Sequence, residues 1–504
     1  MRPGLAIITT LVALTLCACT VKLHDTVGAR CDATQLGTRG CHPGVEGCVR
    51  SACVACPHPP DVELVFVDDD RPTPDLSALT LGVLHGPYSL DAYGAPDSLA
   101  RGRAVLAAST TLQLQYLYGY GAANPSPDAG TYDFASLDAR LGGVIKATGG
   151  TAVLGLGGAP DRMLDTAPTD TNLSHRFGPS ADHLADFQSL VTVVAQRYGT
   201  ELPYAILGAM KDSPTVTPGQ WDVDAYLDGG YLPLAAQLSS GFHFVKLGGP
   251  WLRIEGTGSD AGTTAGGASY THELMLAADR AALVRFLERA GNTLSFVIVQ
   301  RDAVDPADPR HLSAATNYTD AQLLEMTPLF GEAVTKVRDT IQSTLGGSKP
   351  LWVQSDFTNY RDGGVSPAYQ AAYVASVIKW EMEAGASAFI LSVPQQQVVD
   401  GGEEMVSKDG SMLRLFTNTK VRDGGYPYPA ADVMAAVKQR FPPGTQLYPT
   451  RTDVPTLEAL ASSATLLLIN KSPGRRELLV NCAPEPDTGA PYVLEPYEVR
   501  VFGR

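Results

Sequence analysis

The sequence predicts an α/β protein: a (β/α)8 TIM barrel followed by a small antiparallel β-sandwich domain. Eight short apolar runs succeed one another in the middle of the 504-residue chain, and most lead through a polar or glycine-rich corner into an amphipathic helical stretch. Eight such units in about 360 residues favour a closed barrel. A doubly wound open sheet, the alternative, needs a phosphate-binding turn, and Gly155-Leu156-Gly157-Gly158 lacks the G-x-G-x-x-G spacing.

The amino terminus has the pattern of an export signal. Arg2 precedes an apolar run over residues 5–16, which is too short to span a membrane as a mature helix. The run ends at Leu16-Cys17-Ala18-Cys19, which is similar to the cleavage box of bacterial lipoproteins. We expect residues 1–18 to be removed and Cys19 to anchor the exported protein through lipid, in the cell envelope or at the extracellular surface. An ordinary secretory signal is the alternative.

Residues 19–75 combine a cysteine-rich segment with a linker. Disulfides are expected where few large apolar residues are present to form a core. The cysteines of this segment are Cys31, Cys41, Cys48, Cys53 and Cys56. Because five is odd, either one pairs with distant Cys482 or one is free. The C-x-x-C at Cys53 lacks a second spaced pair, so we expect no metal. Residues 57–74 are typical of a linker, in which Val62–Val67 could add a strand to a distant sheet.

The barrel is predicted over residues 76–441. We expect its strands at 79–84, 111–117, 151–156, 203–209, 242–247, 294–300, 350–354 and 387–393. Helical stretches between them include 182–198, 277–290, 320–343 and 368–384. The active site of such a barrel lies at the carboxyl ends of the strands.

The last segment, 442–504, has a different pattern. Short β runs at 466–469, 477–480 and 497–502 are separated by turn residues, which indicates antiparallel strands. Roughly 60 residues is small for an independent sandwich. We therefore expect this domain to pack on the barrel and to recruit the strand that precedes the barrel.

Charge and motifs exclude several function classes. The net charge is −15, without a basic cluster outside the extreme amino terminus, which argues against a nucleic-acid partner. The sequence contains no Walker loop, no H-E-x-x-H and no G-x-S-x-G. Nucleotide-binding, zinc-protease and serine-hydrolase functions therefore have no support, and we expect no cofactor.

Five short motifs follow one another along the barrel. They are Tyr132-Asp133-Phe134 with Leu137-Asp138, Arg197-Tyr198-Gly199, Gly248-Gly249-Pro250, Phe296-Val297-Ile298-Val299-Gln300 and Tyr426-Pro427-Tyr428-Pro429-Ala430. In this order they resemble glycoside hydrolase family 39, which includes β-xylosidases and α-L-iduronidases. They are similar, respectively, to its Tyr-x-Phe-x-x-(Leu/Ile)-Asp, Arg-Tyr-Gly, Gly-Gly-Pro, apolar strand ending in His, and Lys-Pro-x-Tyr-x-Ala. The resemblance covers about residues 80–500 and implies a barrel with an appended sandwich that acts on carbohydrate.

The resemblance also points to two acids, although neither is the family's glutamate. A retaining glycosidase needs a general acid and a nucleophilic carboxylate. The family's acid is the Glu of Asn-Glu-Pro after strand four; with Pro214 in register, Ser213 takes its place, and a shift of one residue puts Asp212 there. After strand seven, Ser355-Asp356 stands where the family has a Thr-Glu-like pair.

Replacing Glu by Asp changes the expected chemistry. It withdraws the carboxylate by about 1.5 Å, and misplacement by about 1 Å can cost on the order of 10²-fold in rate. A wider gap could instead admit a water, since inverting enzymes hold their carboxyls about 6.5–9.5 Å apart. Asp356 and Asp212 are the catalytic candidates in either case.

Further residues near the predicted mouth are candidates for substrate binding, each with a structural alternative. They are Ser213, His85, Trp251, Gln300 and Tyr116. His85 either binds a sugar hydroxyl or forms a structural hydrogen bond. Trp251, placed after strand five, either stacks on a pyranose face or packs in the interior, and strand alternation leaves the same choice for Tyr116.

Two functions follow from these observations. The first is an exported glycoside hydrolase-like lipoprotein that cleaves glycosidic bonds through acids after strands four and seven. The second is a glycan-binding or structural surface lipoprotein that has lost turnover on the same scaffold. Convergence of the Asp212 and Asp356 carboxyls across a cleft would favour the first.

Overall fold

A computed structural model places most of the chain after residue 60. It describes residues 61–68, 72–73, 75–86, 95–119, 122–165, 178–208, 222–254, 275, 277–302, 319–356, 366–395, 414–420 and 422–504, with backbone alone for 46–49, 52–55, Asp302, Asp320 and Asp356. The predicted signal peptide, Cys19, Asp212 and Ser213 lie outside these residues.

The central sheet is a closed barrel of eight parallel strands, which confirms the predicted fold class. Before it come β1 (Glu46–Val49), β2 (Ala52–Ala55) and β3 (Val62–Val67). The barrel strands, in chain order, are β4 (Thr80–Leu84), β5 (Leu112–Tyr116), β6 (Thr151–Gly155), β7 (Tyr204–Ile206), β8 (Lys246–Arg253), β9 (Phe296–Asp302), β10 (Leu351–Asp356) and β11 (Ala388–Ser392). Each pairs in parallel with its neighbour in the chain, and β11 pairs with β4 to close the ring.

Helices surround the barrel. They are α1 (Pro96–Ser109), α2 (Ala135–Asp138), α3 (Leu184–Tyr198), α4 (Val223–Tyr226), α5 (Leu232–Gly241), α6 (Ala277–Ala290), α7 (Asp320–Glu325), α8 (Pro328–Leu345), α9 (Pro367–Glu383) and α10 (Pro429–Arg440). π-Helical turns at Ala139–Ile145 and Leu227–Tyr231 and 3-10 turns at Lys146–Thr148, Asp161–Met163, Ala181–His183, Gly199–Glu201 and Gly291–Thr293 complete the layer. In the described part of the chain, no helix is long and apolar enough to cross a membrane.

One predicted helix is two. The expected helix over 320–343 is divided into α7 and α8 at Thr327-Pro328. Pro328 has no backbone N–H to donate to the preceding turn, so it opens a new helix instead of continuing the old one. The start of α7 is a capping box, in which Thr319 and Gln322 each bond the other's backbone N–H.

The fifth strand also differs from its prediction. It was expected over 242–247, whereas β8 covers Lys246–Arg253. The glycines lie inside the strand: a Cβ at Gly248 would come within 2.2 Å of the Phe296 ring, and one at Gly249 within 2.9 Å of the Tyr231 ring. Gly248 and Gly249 therefore permit close packing of large aromatic residues. They do not end the strand, and Trp251 consequently lies within it.

Aromatic side chains fill the interior of the barrel, as expected for a packed core. Phe296 of β9 stacks on Trp352 of β10 with ring centroids 3.8 Å apart, and Tyr204 of β7 contacts both rings. Nearer the carboxyl ends of the strands, Tyr116 stacks on Trp251. Because these rings fill the interior, a ligand could bind only at an end of the barrel, and in this fold class the site lies at the carboxyl-terminal end.

The C-terminal domain is a sandwich of two four-stranded sheets. Its strands are β12 (Leu447–Tyr448), β13 (Thr450–Thr452), β14 (Leu457–Ser462), β15 (Thr465–Asn470), β16 (Arg476–Val480), β17 (Tyr492–Leu494) and β18 (Val499–Gly503). One sheet has the order β12-β14-β15-β18 and the other β13-β3-β16-β17. The expected recruitment of Val62–Val67 is confirmed, because β3 pairs with β13 and β16.

A disulfide at Cys482 joins this sandwich to the amino-terminal part of the chain. Cys482 is disulfide-bonded, and every other cysteine of the chain lies at or before Cys56. The partner of Cys482 is therefore one of these amino-terminal cysteines. The backbone of β1 and β2 forms a hairpin in which Cys48 and Cys53 are register partners.

Buried polar groups join the sandwich to the barrel. Glu458 of β14 accepts hydrogen bonds from Lys471 Nζ (2.5 Å), Trp380 Nε1 (2.9 Å) and Ser376 Oγ (2.5 Å). Lys471 Nζ also donates to the Leu324 carbonyl at 3.0 Å. Because Trp380 and Ser376 belong to α9, one carboxylate connects both domains.

Candidate functional site

The candidate site is the carboxyl-terminal mouth of the barrel. Asp356 is the last residue of β10, and its backbone pairs in register with that of Asp302 in β9. The sequence-predicted acid after the seventh strand thus has its backbone at the mouth end of the barrel. Asp212 and Ser213 lie outside the described residues, so the expected approach of Asp212 to Asp356 stays a prediction.

Four side chains form the layer directly below this end. The Trp251 ring stacks on Tyr116 with centroids 5.4 Å apart and planes inclined by 10°. Trp251 Nε1 donates to Gln354 Oε1 at 2.6 Å, and Gln354 Nε2 donates to Ser392 Oγ at 2.6 Å. Strands β5, β8, β10 and β11 are therefore connected across the barrel by one stacked pair and two short hydrogen bonds.

The position of Trp251 favours packing over sugar stacking. Its side chain is 1% exposed, within the interior cluster that also contains Tyr116 (3% exposed). The prediction that Trp251 follows strand five is wrong, because β8 continues to Arg253. The stacked Tyr116 and Trp251 rings thus belong to the packed interior directly below the mouth of the barrel.

Gln300 is also buried near the mouth. It is 2% exposed and lies in β9, two residues before Asp302, which ends the strand. It is the register partner of Gln354 in β10. The structure therefore brings together Tyr116, Trp251 and Gln300 of the predicted binding residues as elements of one buried region beneath the strand ends.

His85 lies apart from these residues. Its Nε2 is 3.0 Å from Gln113 Oε1, and Gln113 Nε2 donates to Thr148 Oγ1 at 2.7 Å. Burial, with a contribution from the Arg140 charge, lowers the pKa of His85 to about 4 against the opposing effect of the Gln113 hydrogen bond. Because Thr148 belongs to the helix layer, this geometry favours the structural alternative for His85.

Tyr118, one of the tyrosines around the second strand that could stack on a sugar, and Asp161, which the sequence reasoning did not select, also lie at this end. Tyr118, after β5, donates from its hydroxyl to Asp161 Oδ2 at 2.8 Å, and Asp161 follows β6. The pair connects the corners after the second and third barrel strands. Asp161 had a signal in the sequence, since it is an acid that closely follows the glycine-rich corner of the third strand.

Glu381 is another residue that the sequence reasoning missed, and it contacts the end of β10. Ser355, which precedes Asp356, donates from Oγ to Glu381 Oε1 at 2.9 Å, and both residues are buried. Glu381 lies on α9, and nothing in its helical sequence context marks it as close to the mouth. Within the described ranges, no cluster of three or more His, Cys, Asp or Glu side chains could hold a metal ion.

Comparison with known proteins gives matches in structure alone. No protein-family model matches the chain. No curated protein sequence matches it significantly. Among solved structures, SrfJ from Salmonella typhimurium is similar over 88% of this chain and 92% of its own, with 11% identity and a TM-score of 0.54.

Two similar structures carry enzyme names. An endo-β1,6-glucanase matches over 87% of this chain and 94% of its own, with 8% identity and a TM-score of 0.55. A GH51 arabinofuranosidase from Xanthomonas axonopodis pv. citri matches over 88% and 95%, with 12% identity and a TM-score of 0.51. At these identities the likeness establishes the fold: this chain has the barrel-and-sandwich architecture found in these glycoside hydrolases.

Proposed function

We propose that the chain is an exported glycoside hydrolase that acts at the carboxyl-terminal mouth of its barrel. The observation that carries the proposal is Asp356, an acid whose backbone ends the seventh strand of a closed eight-stranded barrel. Sites of this fold class lie at that end of the strands. The named glucanase and arabinofuranosidase with the same architecture support a carbohydrate substrate, as does the resemblance to family 39.

The proposed chemistry uses two carboxyl groups. Asp212 protonates the departing glycosidic oxygen, and Asp356 attacks the anomeric carbon or activates a water that attacks it. In the first case, the glycosyl–Asp356 ester is then hydrolysed by water, with Asp212 accepting the water proton. In the second case, the anomeric configuration inverts. The two shortened acids favour the second route, because a wider carboxyl separation leaves room for water.

The test is hydrolysis of a panel of chromogenic glycosides by the full-length chain. We expect turnover that Asp356→Asn reduces by on the order of 10³-fold or more, because the amide keeps the shape of the side chain but can neither attack nor act as base. Asp339→Asn, an exposed change on α8, is the matched control and should retain full activity. Full turnover in Asp356→Asn would refute the assignment.

A second function is favoured by one observation: neither strand-end position holds the glutamate of the resembled family. In this case the chain binds glycans at the mouth without cleaving them. Isothermal titration with oligosaccharides distinguishes the two functions. Measurable binding without turnover across the panel, and only a modest change in affinity for Asp356→Asn, would support the binding protein.

We also propose that the protein is anchored to a membrane through lipid on Cys19. The support is the apolar run over residues 5–16, which leads into Leu16-Cys17-Ala18-Cys19; there Cys19 follows the small residue Ala18, as the lipidated cysteine does in a lipoprotein cleavage box. Metabolic labelling with a fatty acid should mark the wild-type chain and not Cys19→Ala. Cys17→Ala is the matched control and should keep the label. Labelling that survives Cys19→Ala would exclude this anchor.

A further inference from the structure

A buried carboxyl group lies behind the candidate catalytic strand. Glu381 of α9 is 0% exposed, and its Oε1 accepts the hydrogen bond from Ser355 Oγ. Its Oε2 has no hydrogen-bond partner among the residues that the structure describes. Burial raises the pKa of the Glu381 carboxyl well above its ordinary value, which favours the neutral acid over a buried anion.

The strand end before Asp356 is held on both faces. Gln354 faces the barrel interior, where it bonds Trp251 and Ser392 at 2.6 Å each. The next residue, Ser355, faces the helix layer and bonds Glu381. Consecutive residues of a strand point to opposite faces, so these contacts restrain the strand from inside and outside the barrel at the two positions that immediately precede Asp356.

The neighbouring strands restrain the same segment laterally. Ser355 is the register partner of Arg301 in β9 and of Leu391 in β11, and Asp356 that of Asp302. Backbone pairing limits movement within the sheet but resists movement of the strand end toward or away from the barrel axis less well. That direction is the one in which the Gln354 and Ser355 hydrogen bonds act.

We propose that Glu381 is a positioning residue, which fixes the distance of the Asp356 backbone from the barrel axis through Ser355. The inference rests on the proposed function, because it matters only if Asp356 takes part in the reaction. An aspartate reaches about 1.5 Å less far than a glutamate, so a site that uses it depends strongly on where the backbone holds it. A shift of about 1 Å can cost on the order of 10²-fold in rate.

The Ser355–Glu381 contact requires a hydrogen-bond acceptor, which the Glu381 carboxyl group supplies. The neutral carboxyl accepts the Ser355 hydrogen bond at a buried position, where an apolar residue would leave that hydroxyl without its acceptor. Glutamine offers the same acceptor in nearly the same shape. Leucine fills a similar space without one. These two replacements therefore separate the hydrogen bond from the packing.

The experiment measures kcat and KM of the full-length chain on its best chromogenic glycoside. We expect Glu381→Leu and Ser355→Ala each to lower kcat on the order of 10-fold while KM stays near the wild-type value, since the loss concerns the transition state. Glu381→Gln should restore most of the kcat that Glu381→Leu loses. Asp339→Asn is the unaffected reference, and circular dichroism gives the folded fraction of each variant.

Two results would overturn the inference alone. One is an active, Asp356-dependent enzyme in which Ser355→Ala and Glu381→Leu keep the wild-type kcat per folded molecule. The other is a rise in KM at unchanged kcat, which would show loss of binding and not of positioning. Because Ser355→Ala is a small change, it decides the question even if Glu381→Leu does not fold. A wild-type chain without hydrolysis would overturn the proposed function and this inference with it.

Discussion

Lys471→Met removes the positive charge from the contact between barrel and sandwich. The Lys471 and Glu458 side chains are 3% and 7% exposed, so the substitution leaves a buried carboxylate without its ion-pair partner, with the hydrogen bonds from Trp380 and Ser376 and the charge of Lys379 remaining. Methionine keeps much of the length of the lysine stem. Loss of one partner of a buried ion pair costs about 3–5 kcal/mol, and we expect a decrease of this size in the free energy of unfolding at pH 7.

The pH dependence of this loss follows from the pKa of Glu458. Burial acts to raise that pKa, but the charges of Lys471 and Lys379 outweigh burial and leave it below its ordinary value of 4.5. The wild-type carboxylate therefore contributes stability above about pH 4.5 that is lost as the pH falls through its lowered pKa. Without Lys471, burial favours the protonated acid. The difference between variant and wild type should be largest at pH 7 and shrink toward pH 4.

The assay is urea unfolding followed by tryptophan fluorescence and circular dichroism at both pH values. Lys146→Met is the matched control: Lys146 pairs with Glu201 at 2.7 Å, but the two side chains are 68% and 57% exposed, and surface pairs contribute about 0–1 kcal/mol. Adding Glu458→Gln to Lys471→Met should recover much of the stability, because no buried charge remains unpaired. A loss for Lys471→Met no larger than that for Lys146→Met would refute the reasoning.

Two further stability predictions concern buried titratable groups. The buried Glu381 carboxyl of the folded wild type keeps a proton that the unfolded chain releases above pH 4.5. Glu381→Gln should therefore be more stable than wild type by an amount that grows as the pH rises above 4.5. Each unit by which the pKa is raised contributes about 1.4 kcal/mol. Equal urea midpoints for both chains from pH 4 to pH 8 would contradict it. Burial lowers the pKa of His85 from 6.5 to about 4, so the wild-type fold loses stability as the pH falls from 6.5 to 4. His85→Gln should remove this loss, which amounts to at most about 3 kcal/mol. Unfolding midpoints at pH 7 and pH 4 measure this difference, and an unchanged pH dependence in the variant would contradict the buried neutral imidazole.

The sequence determined the architecture because its signals are local and repeated. Apolar runs alternating with amphipathic stretches specify strands and helices one at a time, and β4, β6, β9 and β11 lie where those runs predict them. The strand before the barrel was recognised in the same way. Its recruitment follows from the need of a small sandwich for more buried surface, whereas its partners β13 and β16 are known only from the structure.

The fifth strand shows where local reading fails. Adjacent glycines are normally a signal for a turn, but Gly248 and Gly249 are required by the rings of Phe296 and Tyr231 on other elements. Whether a glycine ends a strand or admits a neighbour is decided by what packs against it. For the same reason, Trp251 lies within the strand and is buried, which favours the packing alternative over sugar stacking.

In the candidate site, too, one feature was predictable from the sequence and others were not. The sequence placed Asp356 at the end of the seventh strand, because a strand end is a local property of the chain. Only the tertiary structure joined Trp251 to Gln354, 103 residues apart in the chain, and set Glu381 behind Ser355. Such contacts arise when a closed ring of strands brings side chains of distant sequence position within hydrogen-bond distance, and no periodicity of the chain encodes that meeting.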